Sequence, residues 1–256
     1  MTVTTSLPDD LRQVMLGQVR TTQGAIGLLL VGSAARGSMD RNSDWDFVCV
    51  IDDDVPWPKP FRDGGRETFA SPDGRQVEVA FASVARLRKR MAEQANEGII
   101  AIAEFLAEGA IIWATGSRPQ ALKAEARVMR RRRPAAISGH ELQWKCYEIW
   151  NQVKDVEDTL DDPVAGYYLS FLPYWNLVVL YFRLARRWLP RPKAVFTEIQ
   201  QVDGTLYRLC AEFANASSNG TRNRVLREFM EYLAREFEVE FERYYTSPAL
   251  NPTSEA

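Results

Sequence analysis

Histidine and cysteine are scarce in this chain, which has one histidine, His140, and three cysteines, Cys49, Cys146 and Cys210. No Cys-x-x-Cys or Cys/His cluster can be built from residues so far apart, which excludes the usual ligand patterns of structural zinc and of a disulfide scaffold. Hard, oxygen-liganded metals stay open. An excess of either charge is also missing: 32 Lys and Arg stand against 34 Asp and Glu, a formal net charge of -2. No overall positive field holds nucleic acid non-specifically, so any polyanion site is local. A long clean apolar run is absent too. The most apolar stretch, residues 169–185, contains Pro173, Asn176 and Arg183, and it falls short of the ~20 residues that span a bilayer. It reads as a buried helix, and no membrane partner is expected. Residues 1–10 lack the basic region and apolar core of a secretory signal, so the expected location is the cytoplasm.

What is present is ordinary globular material: 46% hydrophobic, 26% charged and 11% aromatic residues over 256 positions, enough for one large or two modest domains. Behind a Pro8-Asp9-Asp10 start signal, Leu11, Val14, Met15 and Val19 recur at helical spacing. A continuous apolar run, residues 25–31, and a second run, residues 45–51, read as buried strands, the second ending in Asp52-Asp53-Asp54 and three prolines. Pro72-Asp73-Gly74 is a turn signal between residues 66–70 and 76–81, which predicts a hairpin in the same sheet. Helical patterning follows over 83–96 and 98–108, with a last strand over 109–115. The Gly116-Ser117-Arg118-Pro119 stretch then reads as a domain boundary. Beyond it, segments near 119–133, 138–160, 163–188, 192–217 and 221–245 all carry helical spacing. The expected architecture is α+β: a mixed-sheet domain over residues 1–115 followed by an all-helical domain over 116–256.

The chemistry-bearing segment runs from Leu28 to Ile51. Asp44 and Asp46 are two apart where a strand begins, and strand alternation projects both from one face. Adjacent carboxylates repel unless a cation lies between them, and magnesium favours carboxylate oxygens together with substrate phosphates. Glu78 interrupts the apolar Val77-Glu78-Val79 run, where an unpaired acid would be costly to bury. If its strand neighbours the first, three carboxylates could hold two metal ions for an in-line displacement at phosphorus. Gly32 and Ser33 end a strand and precede a short Ala-Ala-Arg36 turn, a junction that aims backbone N–H groups and a hydroxyl at anions. Each feature alone is common in turns and surface strands. The ordered combination is more specific: strand, Gly-Ser, an eleven-residue interval to Asp44, Ser43-Asp44-x-Asp46 opening a strand, then hydrophobic-Glu-hydrophobic.

That combination, Gly32-Ser33-Ala34, Gly37, Ser43-Asp44-x-Asp46 and Glu78, resembles the nucleotidyltransferase superfamily that includes DNA polymerase β. It resembles more closely the small bacterial antibiotic nucleotidyltransferases of the aminoglycoside and lincosamide type. The resemblance covers roughly the first 115 residues. It implies that Asp44 and Asp46 bind the metals of a nucleoside triphosphate, and that Glu78 binds the second metal or acts as base toward the acceptor hydroxyl. At the strand end, Gly32 lets a triphosphate approach the backbone, Ser33 donates to it and Arg36 adds charge, and Ser43 of the matched motif is expected to join them as a nucleotide contact. A weaker resemblance continues through Asn176-Leu-Val-Val-Leu180, Arg187-Trp188 and Arg191-Pro-Lys193, similar to a helix and Pro-Lys pair near the nucleotide in aminoglycoside adenylyltransferases. It implies that Lys193 reaches the triphosphate. Those enzymes carry acidic residues before that helix, whereas this chain reads Phe171-Leu-Pro-Tyr174-Trp175, so an aminoglycoside-type polycation is not required as acceptor.

Tyr174, Trp175 and Asn176 are candidate acceptor contacts, although aromatics in an apolar helix are more often core. The acidic run Asp155, Glu157, Asp158, Asp161 and Asp162 and the arginine run Arg127 with residues 130–133 each read first as a solvated helix end. The expected activity is metal-dependent transfer of a nucleoside monophosphate, AMP foremost, from a triphosphate to a hydroxyl of a small acceptor, with two magnesium ions and release of pyrophosphate. Two alternatives stand beside it: transfer to protein or RNA, for which the arginine run speaks, and a nucleotide-binding module without turnover. Nucleic acid is not the expected partner. The acceptor, the preferred base and the oligomeric state are not written in the residues.

Overall fold

The computed structural model describes residues 7–55 and 65–242, and these divide into two compact units after Arg133. In the first unit the order is α1 (Asp9–Thr21), β1 (Ala25–Val31), α2 (Gly32–Arg36), β2 (Trp45–Ile51), β3 (Gly65–Ala70), β4 (Gln76–Ser83), α3 (Val84–Asn96), α4 (Ala101–Glu108), β5 (Ala110–Ala114) and α5 (Arg118–Arg131). The strands form one mixed sheet in the order β3-β4-β2-β1-β5. β2 and β4 pair in parallel and the other neighbours are antiparallel. β1 is apolar throughout because both its faces are covered: Leu28, Leu29 and Leu30 are all essentially inaccessible. On one face Leu28 and Leu30 meet Phe47, Cys49, Val77 and Val79 and the Leu11, Met15 and Val19 stripe of α1. The predicted hairpin forms as β3 and β4 around the Ser71–Arg75 turn.

The first compact unit runs on past residue 115 to Arg133. The Gly116–Pro119 punctuation starts a helix of the first unit, with Pro119 near the helix start. α5 buries Leu122 and Ala126, and its Pro119 ring lies where a side chain on Gly27 of β1 would stand. Polar ties reinforce it. Lys123 donates to the carbonyl of Gly109, Arg127 donates to that of Ala107 at 3.3 Å, and Arg88 forms a two-pronged pair with Glu125 at 2.7 and 2.8 Å. Two members of the arginine run, Arg127 and Arg130, therefore lie against α4, Arg130 through Glu108 at 3.0 Å.

The second unit contains α6 (Gly139–Glu157), α7 (Pro163–Leu184), α8 (Val195–Val202), α9 (Gly204–Ala214) and α10 (Asn219–Phe237). Its core gathers Ile149, Val153, Leu177, Val178, Phe182, Leu206, Phe229 and Leu233. The apolar stretch is α7, and among the described residues no helix is long and apolar enough to cross a membrane. The helical spacing over 192–217 is realised as two helices, because Asp203 ends α8 and caps α9 by accepting from the Leu206 N–H at 2.8 Å. α10 stops at Phe237 rather than running on; residues 243–245 of that expected helix lie outside the described residues, as do the three prolines after Asp54. The acidic run is partly structural. Asp162 caps α7 through the Val164 and Ala165 N–H groups, and Glu157 receives Arg227, Lys154 and Asn223.

Candidate active site

Three adjacent strands bring the sequence-predicted residues of the first unit together. In the register, Asp46 of β2 faces Val31, the last residue of β1, on one side and Glu78 of β4 on the other. Alternation sends Trp45, Phe47, Val77 and Val79 into the core and leaves Asp46 and Glu78, both half-buried, on the opposite face. Asp44 precedes the strand and is exposed. Gly32 follows β1 with φ +70°, and a Cβ built on it would stand 2.2 Å from Asp46 Oδ2. Only glycine lets the backbone at the start of α2 lie against this carboxylate. Ser33 sits half-buried in the first turn of α2, and Arg36 closes that helix beside Glu108 at 3.5 Å.

The electrostatics are those of crowded negative charge. Burial first, and then the carboxylates of Glu78 and Asp44, push the Asp46 carboxyl above its usual range, against the opposing pull of Arg66 and Arg36. Glu78 pairs with Arg66 of β3 at 3.1 Å, and that guanidinium is 64% exposed. Arg66 was not singled out from the sequence. The hairpin register could have found it, since Thr68 faces Glu78 and Arg66 lies two residues along on the same face. Ser43, for which the resemblance implied a nucleotide contact, has its hydroxyl engaged in the turn before β2. It donates to Asp40 Oδ1 and accepts from the Asp40 N–H, both at 2.9 Å. Arg75 donates to the Asp40 carbonyl at 2.9 Å and so ties that turn to the hairpin. Ser43 thus shapes the loop that delivers Asp44.

Among the described residues no three acidic, histidine or cysteine side chains are drawn together as a ready metal cage. The chemistry of the donor set still suits a hard divalent cation. Its donors are carboxylate oxygens, the charges of Glu78 and Asp44 raise the proton affinity of Asp46, and a cation beside Asp46 relieves that repulsion. Glu78 holds Arg66 through Oε2 alone in the bonds described.

The residues expected to meet the acceptor and the triphosphate tail lie in the second unit. Tyr174 is a core residue: its ring stacks on Phe213 with centroids 4.0 Å apart, and burial drives its hydroxyl pKa upward. Its expected role as an acceptor contact is not what this placement serves. Asn176 donates to Gln152 Oε1 at 2.9 Å, half-buried between α6 and α7. Trp175 is 37% exposed, and Lys193 lies exposed in the turn before α8.

Residues 15–117 match the family model of a nucleotidyltransferase domain. No curated protein matches the chain. Among solved structures, a nucleotidyltransferase-like protein from Exiguobacterium sibiricum is 13% identical, aligned over 93% of this chain and 80% of that one with a TM-score of 0.52. At that identity the likeness is one of fold. An aminoglycoside 6-adenyltransferase from Bacillus subtilis is 9% identical, aligned over 90% of this chain and 91% of that one, with a TM-score of 0.34.

Proposed function

We propose, for a chain whose residues 15–117 form a nucleotidyltransferase domain, that it transfers a nucleoside monophosphate, AMP foremost, from a triphosphate to a hydroxyl of a small acceptor. The observation that supports this best is the register that sets Asp46 against both Gly32 and Glu78. It joins a turn suited to phosphate with a carboxylate pair suited to a divalent cation. Gly32 lets the triphosphate approach the backbone, and the N–H groups of α2 and the Ser33 hydroxyl donate to its oxygens. Asp44 and Asp46 would hold magnesium, with Glu78 as a further ligand; bound there, the metal would neutralise charge that develops on the phosphate oxygens. As the acceptor oxygen bonds to the α-phosphorus, the bond to the β-phosphate oxygen breaks and pyrophosphate leaves with its electron pair. Glu78 would take the acceptor's proton when it is not a metal ligand.

The acceptor is assigned to the second unit, where Trp175 offers an exposed ring and Asn176 an amide. The first unit's polar groups near Asp46 are largely committed to phosphate and metal. The test incubates the protein and magnesium with each of the four ribonucleoside triphosphates and panels of hydroxylated small molecules, and reads pyrophosphate and adduct mass. Adducts on a small molecule support the reading. Labelling of protein or RNA in preference to every small molecule, or triphosphate binding without pyrophosphate release, would replace it with one of the two alternatives.

Lys193 is assigned to the β- and γ-phosphates. Lys193→Ala is expected to weaken triphosphate binding about tenfold, as for loss of a charge-assisted contact, and to leave monophosphate binding nearly unchanged. Equal weakening of both nucleotides in calorimetric titrations would remove Lys193 from the phosphate site.

A further inference from the structure

We infer that Glu108 is a positioning residue for the nucleotide site, bridging Arg130 to Arg36 and so fixing the Arg36 guanidinium at the end of α2, one turn from Ser33. The inference deepens the function proposed above and rests on it. Glu108 is the last residue of α4, where an acidic side chain faces the negative end of the helix and is disfavoured unless paired. It is also only 18% exposed, so its charge needs partners. It has one on each oxygen: Oε2 lies 3.5 Å from Arg36 Nη1, and Oε1 lies 3.0 Å from Arg130 Nη2.

The platform beneath it is stiff. Arg127 and Lys123 of α5 donate to the carbonyls of Ala107 and Gly109 on either side of Glu108. The next residue, Ala110, opens β5 and pairs with Leu30 of β1. Arg36 is one helical turn beyond Ser33, and its charge is felt at Asp46. A long arginine side chain otherwise loses rotamer freedom when it meets a ligand. An ion pair made beforehand removes much of that loss, which is preorganisation. Nothing in the composition marks Glu108 for this role, because the pairing spans 72 positions of sequence.

A double-mutant cycle in the full chain tests the assignment. The magnesium complexes of ATP, GTP, CTP and UTP are titrated into the wild-type protein by calorimetry, and the tightest binder serves as probe. Arg36→Ala and Glu108→Gln are each expected to weaken its binding about tenfold, whereas Glu108→Gln added to Arg36→Ala should change nothing further. Glu108→Asp, which keeps the charge, should recover part of the loss. Arg130→Gln, at a more exposed position, should weaken binding about threefold and also fall silent in the Arg36→Ala background. This second cycle carries the test if Glu108→Gln lowers the melting temperature. Equal effects with and without Arg36, as a merely structural role would produce, would overturn the assignment, and so would wild-type binding by a folded Glu108→Gln. Failure of every triphosphate to bind the wild type would take down the functional reading and this inference together; wild-type binding with an additive cycle would remove the inference alone.

Discussion

Asp46→Asn is expected to reduce nucleotidyl transfer by at least about 10² to 10³-fold, because metal-assisted charge stabilisation contributes several kcal/mol and each 1.4 kcal/mol is a factor of ten in rate. The same change should not weaken the fold. In the wild-type protein the Asp46 carboxyl sits above its usual range, held there by burial and by Glu78 and Asp44. A carboxyl whose proton affinity is higher in the folded than in the unfolded state favours folding when protonated, and that contribution is lost as pH rises through the folded-state value. At neutral pH the ionised Asp46 therefore opposes folding of the metal-free protein, and the neutral amide does not. The melting temperature of Asp46→Asn without metal should equal or exceed that of the wild type at pH 7. The difference should close as pH falls toward the unfolded-state value of 3.8. Added magnesium should raise the wild-type melting temperature more than the variant's, by mass action on the state that binds it. Near-normal turnover, or a variant that melts well below the wild type at neutral pH, would contradict this assignment of Asp46.

Gly32→Ala should be nearly as damaging, for a different reason. At φ +70° an alanine is strained by about 1 to 2 kcal/mol, and its Cβ would stand 2.2 Å from Asp46 Oδ2. The two cannot coexist, so either the turn rebuilds or the carboxylate rotates away from Glu78. A displacement of about 1 Å at a reacting centre costs about 10²-fold in rate, and a loss on that scale is expected, together with a lowered melting temperature. Gly74 supplies the control. It has φ +80° in the β3–β4 turn with open space where a Cβ would stand, so Gly74→Ala carries the backbone strain without the clash. It should lower the melting temperature modestly and leave turnover intact. Equal activity losses in the two variants would show that strain, and not the close approach of Gly32 to Asp46, is responsible.

Local sequence rules were enough for the strands and the carboxylates. Residues 25–31 are a continuous apolar run and residues 45–51 an apolar run interrupted only by Asp46, and they form β1 and β2 with those bounds; β1, covered on both faces, has no polar alternation to blur its ends. Glu78 stood out because a single acid in an apolar run has few inexpensive explanations, and Pro72-Asp73-Gly74 marked the hairpin because those residues suit a turn and little else. The same rules do not say which unit α5 packs with. Gly, Ser and Pro together mark a break in regular structure, and they mark the start of a helix as readily as the end of a unit. What keeps α5 in the first unit is the burial of Leu122 and Ala126 and the bonds of Lys123 and Arg127 to α4, none of which is a local property.

Reading along the chain identifies the groups it owns: a Gly-Ser turn after a strand, an Asp-x-Asp pair opening the next, one acid inside a third, and a helical second half. The fold decided how they are used. It set Asp46 opposite Glu78 through a parallel pairing across 32 residues, put Arg66 on Glu78, spent the Ser43 hydroxyl on its own turn and sank Tyr174 against Phe213. It also brought Glu108 from α4 to Arg36. The reason is one of range. Side-chain period, turn chemistry and helix caps are fixed within a few residues and can be read in order along the chain. Charge pairing and burial depend on which elements become neighbours, and that is settled only when the whole apolar surface finds its partners at once.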